Sequence, residues 1–125
     1  MENKTILIVD DDEEIQKLLL VFIKKLGYRA EARTNALRAK EWLSSNRPIL
    51  MLVDIMLPDA TGIEFCQWLN SQEDLKNIPV IHMSVLTDEI AQEDSLLSGA
   101  RDFIFKPFDF KILKKKIENL VKEER

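Results

Sequence analysis

Four stretches of this sequence end apolar runs on residues suited to phosphate chemistry. Ile6 to Val9 runs into Asp10, Asp11 and Asp12, and Leu50 to Val53 runs into Asp54. The run opened by Val80 ends on Ser84, and Phe103 to Phe105 ends on Lys106. Apolar runs without polar alternation are the pattern of strands buried on both faces, as in parallel sheets. Open α/β sheets gather their chemistry beyond the carboxyl ends of such strands, at a switch in strand order. Asp10, Asp11 and Asp54 are then brought together. At about 4 Å and an effective dielectric near 20, each pair of carboxylates repels by several kcal/mol, so the cluster needs a cation. All-oxygen donors with no His or Cys nearby select a hard ion, Mg²⁺ or Mn²⁺. Lys106 adds a second positive charge and Ser84 a hydroxyl donor. Cation, lysine and hydroxyl make a clamp for the oxygens of a phosphoryl group in transfer. Asp54 is the nucleophile that accepts the group as an acyl phosphate.

The elements that position these groups alternate between strand and helix five times. The first helix places Ile15, Leu18, Leu19, Phe22 and Leu26 on its core stripe and stops at Gly27, leaving Leu20 and Val21 outside the stripe. Tyr28 to Arg33 reads as a short edge strand. Thr34 and Asn35 start a second helix with Ala36, Ala39, Trp42 and Leu43 inside, and Ser44 to Pro48 is turn chemistry. Pro58 stops the central strand, and Gly62 supplies a flexible bend before a helix that begins at Ile63. That helix turns Phe65, Cys66, Trp68 and Leu69 inward, and Asn70 to Asn77 is a loop. Thr87 opens a fourth helix whose apolar content, Ile90, Ala91, Leu96 and Leu97, is thin enough to make it the loosest. Asp109 caps a last helix with Leu113, Ile117, Leu120 and Val121 inside. His82 reads as a partnered core histidine, Cys66 as a core filler, and Asp12 and Glu13 as helix-start residues. Strands alternating with helices imply right-handed crossovers and a parallel sheet covered on both faces.

Composition bounds the function. The 125 residues, 46% hydrophobic and 32% charged, fit one soluble globular domain spanning 1–125. A net charge of -4 argues against direct nucleic-acid binding. The basic run Lys111, Lys114, Lys115 and Lys116 reads as a solvated helix face. No apolar run is long enough for a membrane span, and Met1 leads almost directly into a strand without a leader. One cysteine excludes an internal disulfide and suits a reducing, cytoplasmic location. With a single His as well, zinc is excluded.

Ile-Leu-Ile-Val-Asp10-Asp11, Asp54-Ile-Met-Leu-Pro58 with Gly62, Ser84, and Phe105-Lys106-Pro107-Phe108 resemble the signature of the response-regulator receiver domain along the whole chain. The resemblance implies an α/β fold: a doubly wound five-stranded parallel sheet, flavodoxin-like order 2-1-3-4-5, with five helices on both faces. It makes Asp54 the phosphorylation site of a bacterial two-component system, supplied by a histidine kinase or histidine phosphotransfer protein. Asp11 would bind Mg²⁺ directly and Asp10 through water, with the Met56 backbone carbonyl as a further ligand. Ser84 and Lys106 would hold phosphoryl oxygens, and the Lys106-Pro107 bond would be cis. Phe103 would be the switch aromatic, turning from an exposed to a buried rotamer as Ser84 is drawn inward. The changed surface would be the fourth helix, fifth strand and last helix, where Phe110 and Ile112 would offer an apolar patch. Its partner would be a downstream effector protein, a C-terminal effector domain or, in a phosphorylation-dependent dimer, a second copy. Such a domain is no enzyme beyond its own phosphorylation and dephosphorylation.

Departures from the family pattern are Val85 in place of Ala or Gly, where it would narrow access to Asp54, and Phe103 without the hydroxyl of the frequent Tyr. Ile112 and Lys116 replace the Glu and Arg of the usual charge-paired dimer. The alternative is a small Mg²⁺-dependent phosphohydrolase with Asp10 and Asp12 as nucleophile and acid/base pair, which leaves Asp54 and Pro107 without a role. A third class, an interaction module that has lost phosphorylation, sits poorly with the intact acidic set.

Overall fold

The structure is a computed structural model that describes residues 4–85 and 89–123. Its elements are β1 (Thr5–Val9), α1 (Glu13–Lys25), β2 (Arg29–Arg33), α2 (Ala36–Leu43), β3 (Leu50–Asp54), α3 (Gly62–Asn70), β4 (Val80–Ser84), α4 (Glu89–Leu97), β5 (Asp102–Phe105) and α5 (Phe110–Glu123). All strand pairs are parallel and the sheet order is β2-β1-β3-β4-β5, as the sequence implies. Register keeps the carboxyl ends level. Val9 stands beside Val53, Asp54 beside Met83, and Ser84 beside Phe105.

Each central strand divides its apolar side chains between two cores, because successive residues point to opposite faces. Ile6, Ile8, Leu50, Leu52, Ile81 and Met83 pack with α1 and α5. Leu7, Val9, Met51, Val53 and Val80 pack with α2 and α3. This double cover is why the runs read as continuously apolar. Gly27 and Gly99 end α1 and the turn after α4 with φ of 99° and 107°, a region other residues reach only with strain.

Two helices differ from expectation. In α1 the inner residues are Leu19 and Ile23, both fully buried, with Ile15, Leu20, Phe22 and Leu26 packed against the same core. Leu18, expected inside, is 54% exposed. Leu18 to Ile23 are all apolar, so their pattern defines no unique face, and the phase follows from Ile15, Leu19 and Ile23 in steps of four. Among the described side chains, Ser95 of α4 and Ser98 just beyond it are buried, while Leu97, expected inside, is 84% exposed and Leu96 is also exposed. The expected start at Thr87 lies outside the described residues.

Ser95 faces a buried histidine. His82 is fully buried in β4 and contacts Ser95 Oγ through Nδ1 and the Gly62 carbonyl through Nε2. Burial, opposed by the Gly62 hydrogen bond, lowers its pKa from 6.5 to about 4. The unfolded chain therefore takes up this proton first as pH falls. The stability carried by the neutral ring is complete above the unfolded pKa and is lost between 6.5 and about 4. Measured by urea unfolding, the wild-type chain should lose about 2 kcal/mol more than His82→Met between pH 7 and pH 4.5. Parallel losses in the two proteins would show that His82 is not buried neutral.

Candidate functional site

Asp10, Asp54, Ser84 and Lys106 meet at the carboxyl edge of the sheet, with Asp11 beside them. Asp10 is fully buried and every polar group on it is engaged. Its N–H donates to the Arg33 carbonyl at 3.1 Å and its carbonyl accepts Gln16 Nε2 at 2.7 Å. Its Oδ1 accepts the Asp12 N–H at 2.9 Å, and its Oδ2 accepts Lys106 Nζ at 2.7 Å. Asp54, 6% exposed, accepts the Met56 N–H on Oδ1 at 3.1 Å and Lys106 Nζ on Oδ2 at 3.2 Å. The Lys106 N–H donates to the Ser84 carbonyl at 2.8 Å, which fixes the lysine's root at the end of β4. Ser84 itself is buried. The Lys106-Pro107 peptide is cis.

Carboxylate oxygens of Asp10, Asp11 and Asp54 lie within 4.8 Å of one another, Asp11 being the exposed member. The Lys106 ammonium bonds two of these three acids, Asp10 and Asp54. Burial raises the pKa of Asp54; the Met56 N–H opposes the rise, Asp10 adds to it by repulsion, and Lys106 lowers it again. For Lys106, burial disfavours the charge, but hydrogen bonds and attraction from Asp10 and Asp54 outweigh it and raise the pKa. The ammonium is thus charged at neutral pH. Oxygen donors with uncompensated negative charge fit a hard divalent cation, Mg²⁺ before Zn²⁺ or Cu²⁺.

The loop after Asp54 is held at several points. Gly62 is the first residue of α3 rather than a flexible bend before it, and its φ is not positive. A Cβ there would lie 2.5 Å from the Asp54 carbonyl oxygen, so glycine is required by close approach. The Gly62 N–H donates to the Ile55 carbonyl at 2.7 Å, and Thr61 with Glu64 forms a reciprocal capping box. Asp59 accepts the N–H groups of Ala36 and Leu37, both at 2.9 Å, tying the loop to the start of α2. Burial opposes ionisation of Asp59, but these two hydrogen bonds prevail and lower its pKa. Asp59 escapes sequence reasoning because its partners are more than twenty residues away and Asn35 already caps α2 on the Arg38 N–H.

Asp12 accepts the N–H groups of Glu14 and Ile15 as the N-cap of α1, the helix-start role read from the sequence and not that of a reactive partner of Asp10, whereas other residues fall differently. Phe103, expected exposed before phosphorylation, is 5% exposed, with its ring centroid 5.0 Å from that of Phe105. β5 directs it into the fold without any change at Asp54. Val85 is 67% exposed. Phe110 packs on Phe22 of α1 with centroids 4.8 Å apart, so it belongs to the α1 side of α5, whereas Ile112 is exposed. Lys116 pairs with Asp102 of β5 at 2.8 Å.

Residues 6–118 match the family model described as the response regulator receiver domain. Over 120 residues the chain is 31% identical to the transcriptional regulatory protein GltR of Pseudomonas aeruginosa, covering 96% of this chain and 50% of that protein. It is 34% identical over 104 residues to the polar-differentiation response regulator DivK of Brucella anthropi, covering 83% of this chain and 85% of DivK. The chain therefore spans about half the length of the first of these relatives and most of the second. Among solved structures, the signal receiver domain of a signal transduction histidine kinase from Syntrophus aciditrophicus superposes with a TM-score of 0.89 at 35% identity. That match covers 96% of this chain and 91% of that one.

Two substitutions test the geometry. Lys106→Met leaves Asp10 and Asp54 buried without their cation, so without divalent metal at pH 7 it should lower stability by about 3 kcal/mol. It should also raise the Asp54 pKa, read from the carboxyl carbon by NMR titration. An unchanged Asp54 titration would contradict the pairing. Gly62→Ala should destabilise the fold by about 1–3 kcal/mol, because the added carbon meets backbone. A neutral effect in thermal unfolding would show that the loop is free to give way.

Proposed function

Because the chain belongs to the response regulator receiver domain family, we propose that it is a phosphorylation-activated switch whose phosphoacceptor is Asp54. The observation that carries this reading is the bridging of Asp10 and Asp54 by Lys106 Nζ, at 2.7 and 3.2 Å, with the Asp11 carboxylate alongside. An Asp54 oxygen attacks the phosphorus of a phosphohistidine on a histidine kinase or histidine phosphotransfer protein. A P–O bond forms, the P–N bond breaks, and its electron pair leaves on the imidazole nitrogen, which takes a proton from water. Lys106 holds a phosphoryl oxygen as charge builds on it, and the Ser84 hydroxyl donates to another. Asp11, Asp54 and the Met56 carbonyl would hold Mg²⁺ directly and Asp10 through water, with Mn²⁺ as a substitute. When bound, the ion supplies neutralisation of the acidic cluster and of the phosphoryl oxygens.

Residues 1–125 act as one receiver domain in the cytoplasm, catalysing nothing but their own phosphorylation and dephosphorylation. No helix among the described residues is long and apolar enough to cross a membrane. Output passes through α4, β5 and α5 to an effector protein, an effector domain or a second copy. Ser84 and Phe103 are the switch residues. Since Phe103 is already buried, its part is a change of packing against Phe105 rather than a move from solvent.

With Mg²⁺ and acetyl phosphate, mass spectrometry should find one phosphoryl group on Asp54, labile to hydroxylamine and absent from Asp54→Asn. Modification of Asp10 or Asp12 would favour the phosphohydrolase instead. Without divalent metal, the Asp54 carboxyl carbon should titrate above the ordinary carboxylate range by NMR, because burial raises its pKa. Titration within or below that range would contradict the burial of the acceptor.

A further inference from the structure

A buried polar chain beneath α4 is not used by the phosphoryl chemistry. His82 stands in β4 between Val53 and Phe103. The Gly62 carbonyl, 2.9 Å from Nε2, can only accept, so Nε2 carries the hydrogen. Nδ1 of the neutral ring is then bare, and the Ser95 hydroxyl donates to it. From Ser95 the chain continues through α4 and returns to α3. The Ser98 hydroxyl donates to the Ser95 carbonyl at 2.6 Å, and Asn70 Nδ2 donates to the Ser98 carbonyl. Among the described residues no buried side-chain polar atom lacks a partner.

The two ends of this imidazole touch the two parts that a switch must connect. At one end, Gly62 lies against the Asp54 carbonyl and donates to the Ile55 carbonyl, so its position sets the backbone that carries the acceptor. At the other, Ser95 is fully buried in a helix whose Leu96 and Leu97 face away from the core. An apolar side chain at position 82 would fill the same space but bond to neither. We infer that His82 is a positioning residue that ties the Asp54–Gly62 loop to α4, so that displacement of the loop passes to the helix through Gly62, His82 and Ser95. The inference rests on the proposed function only for what displaces the loop.

The linkage is tested without phosphorylation first. Ser95→Ala, on α4, should speed hydrogen exchange of the Gly62 amide several-fold. Ser98→Ala, which removes a neighbouring buried hydroxyl that does not touch His82, should leave that amide unchanged. Equal effects of the two substitutions, or none from Ser95→Ala, would overturn the inference. Imidazole ¹⁵N spectra of the wild-type chain near pH 7 should show hydrogen on Nε2 and a bare Nδ1; the opposite tautomer would overturn it independently of any variant. With Mg²⁺ and beryllofluoride, exchange across 92–99 should change in the wild-type chain and respond several-fold less in Ser95→Ala. If the fluoride complex forms and both proteins respond alike, the linkage is wrong. If no complex forms at Asp54 while Gly62 still responds to Ser95→Ala, the phosphoacceptor assignment fails and the linkage stands.

Discussion

Three carboxylates crowd the carboxyl edge of the sheet and the Lys106 ammonium bonds two of them, so holding like charges that close requires everything around them to be rigid. Oxygens within 4.8 Å repel by about 3–4 kcal/mol per pair at an effective dielectric near 20, a substantial part of the net stability of a domain this size. Level register does the holding. β1 and β3 are buried by two separate cores, so Asp10 and Asp54 cannot slide apart without exposing Ile6, Leu7, Leu50 or Met51. Lys106 is fixed at its backbone by Ser84 and at its head by both acids, so it offsets part of the repulsion without occupying a ligand oxygen of Asp11.

The loop between β3 and α3 transmits this rigidity outward. Its anchors lead in different directions: Met56 to the acceptor carboxylate, Asp59 to the amino end of α2, and Gly62 to the acceptor's own backbone. The Gly62 carbonyl then reaches α4 through His82. Ser95 of α4 is held by a hydrogen bond whose geometry is directional, so a small displacement weakens it.

The sheet and the site were legible because both rest on local patterns. Apolar runs marked the strands, and the residues that end them, Asp10, Asp54, Ser84 and Lys106, marked the edge and the cluster, while the strand order came from the resemblance to receiver domains. What was not legible depends on neighbours distant in sequence. Leu18 to Ile23 carry no phase of their own; Leu18 faces solvent because Leu19 and Ile23 meet the sheet. Gly62 looked like a hinge and proved to be a close contact, since only the fold brings the Asp54 carbonyl to it. Thin apolar content in α4 was visible, but the inward Ser95 made sense only opposite His82. Phe110 was assigned to the wrong side of α5 because its partner, Phe22, is on α1.

On the proposed function, the acidic cluster is strained by its own charge and relieved by a hard cation. Urea unfolding of the wild-type chain and Asp11→Ala, each with chelator and with saturating Mg²⁺, tests it most directly. Without divalent ions the variant should be the more stable by about 1 kcal/mol, since Asp11 is exposed and its repulsion partly screened. With Mg²⁺ the wild-type chain should gain stability in proportion to the logarithm of ion concentration, overtaking a variant that gains far less. A variant less stable in chelator and equally stabilised by Mg²⁺ would contradict the account.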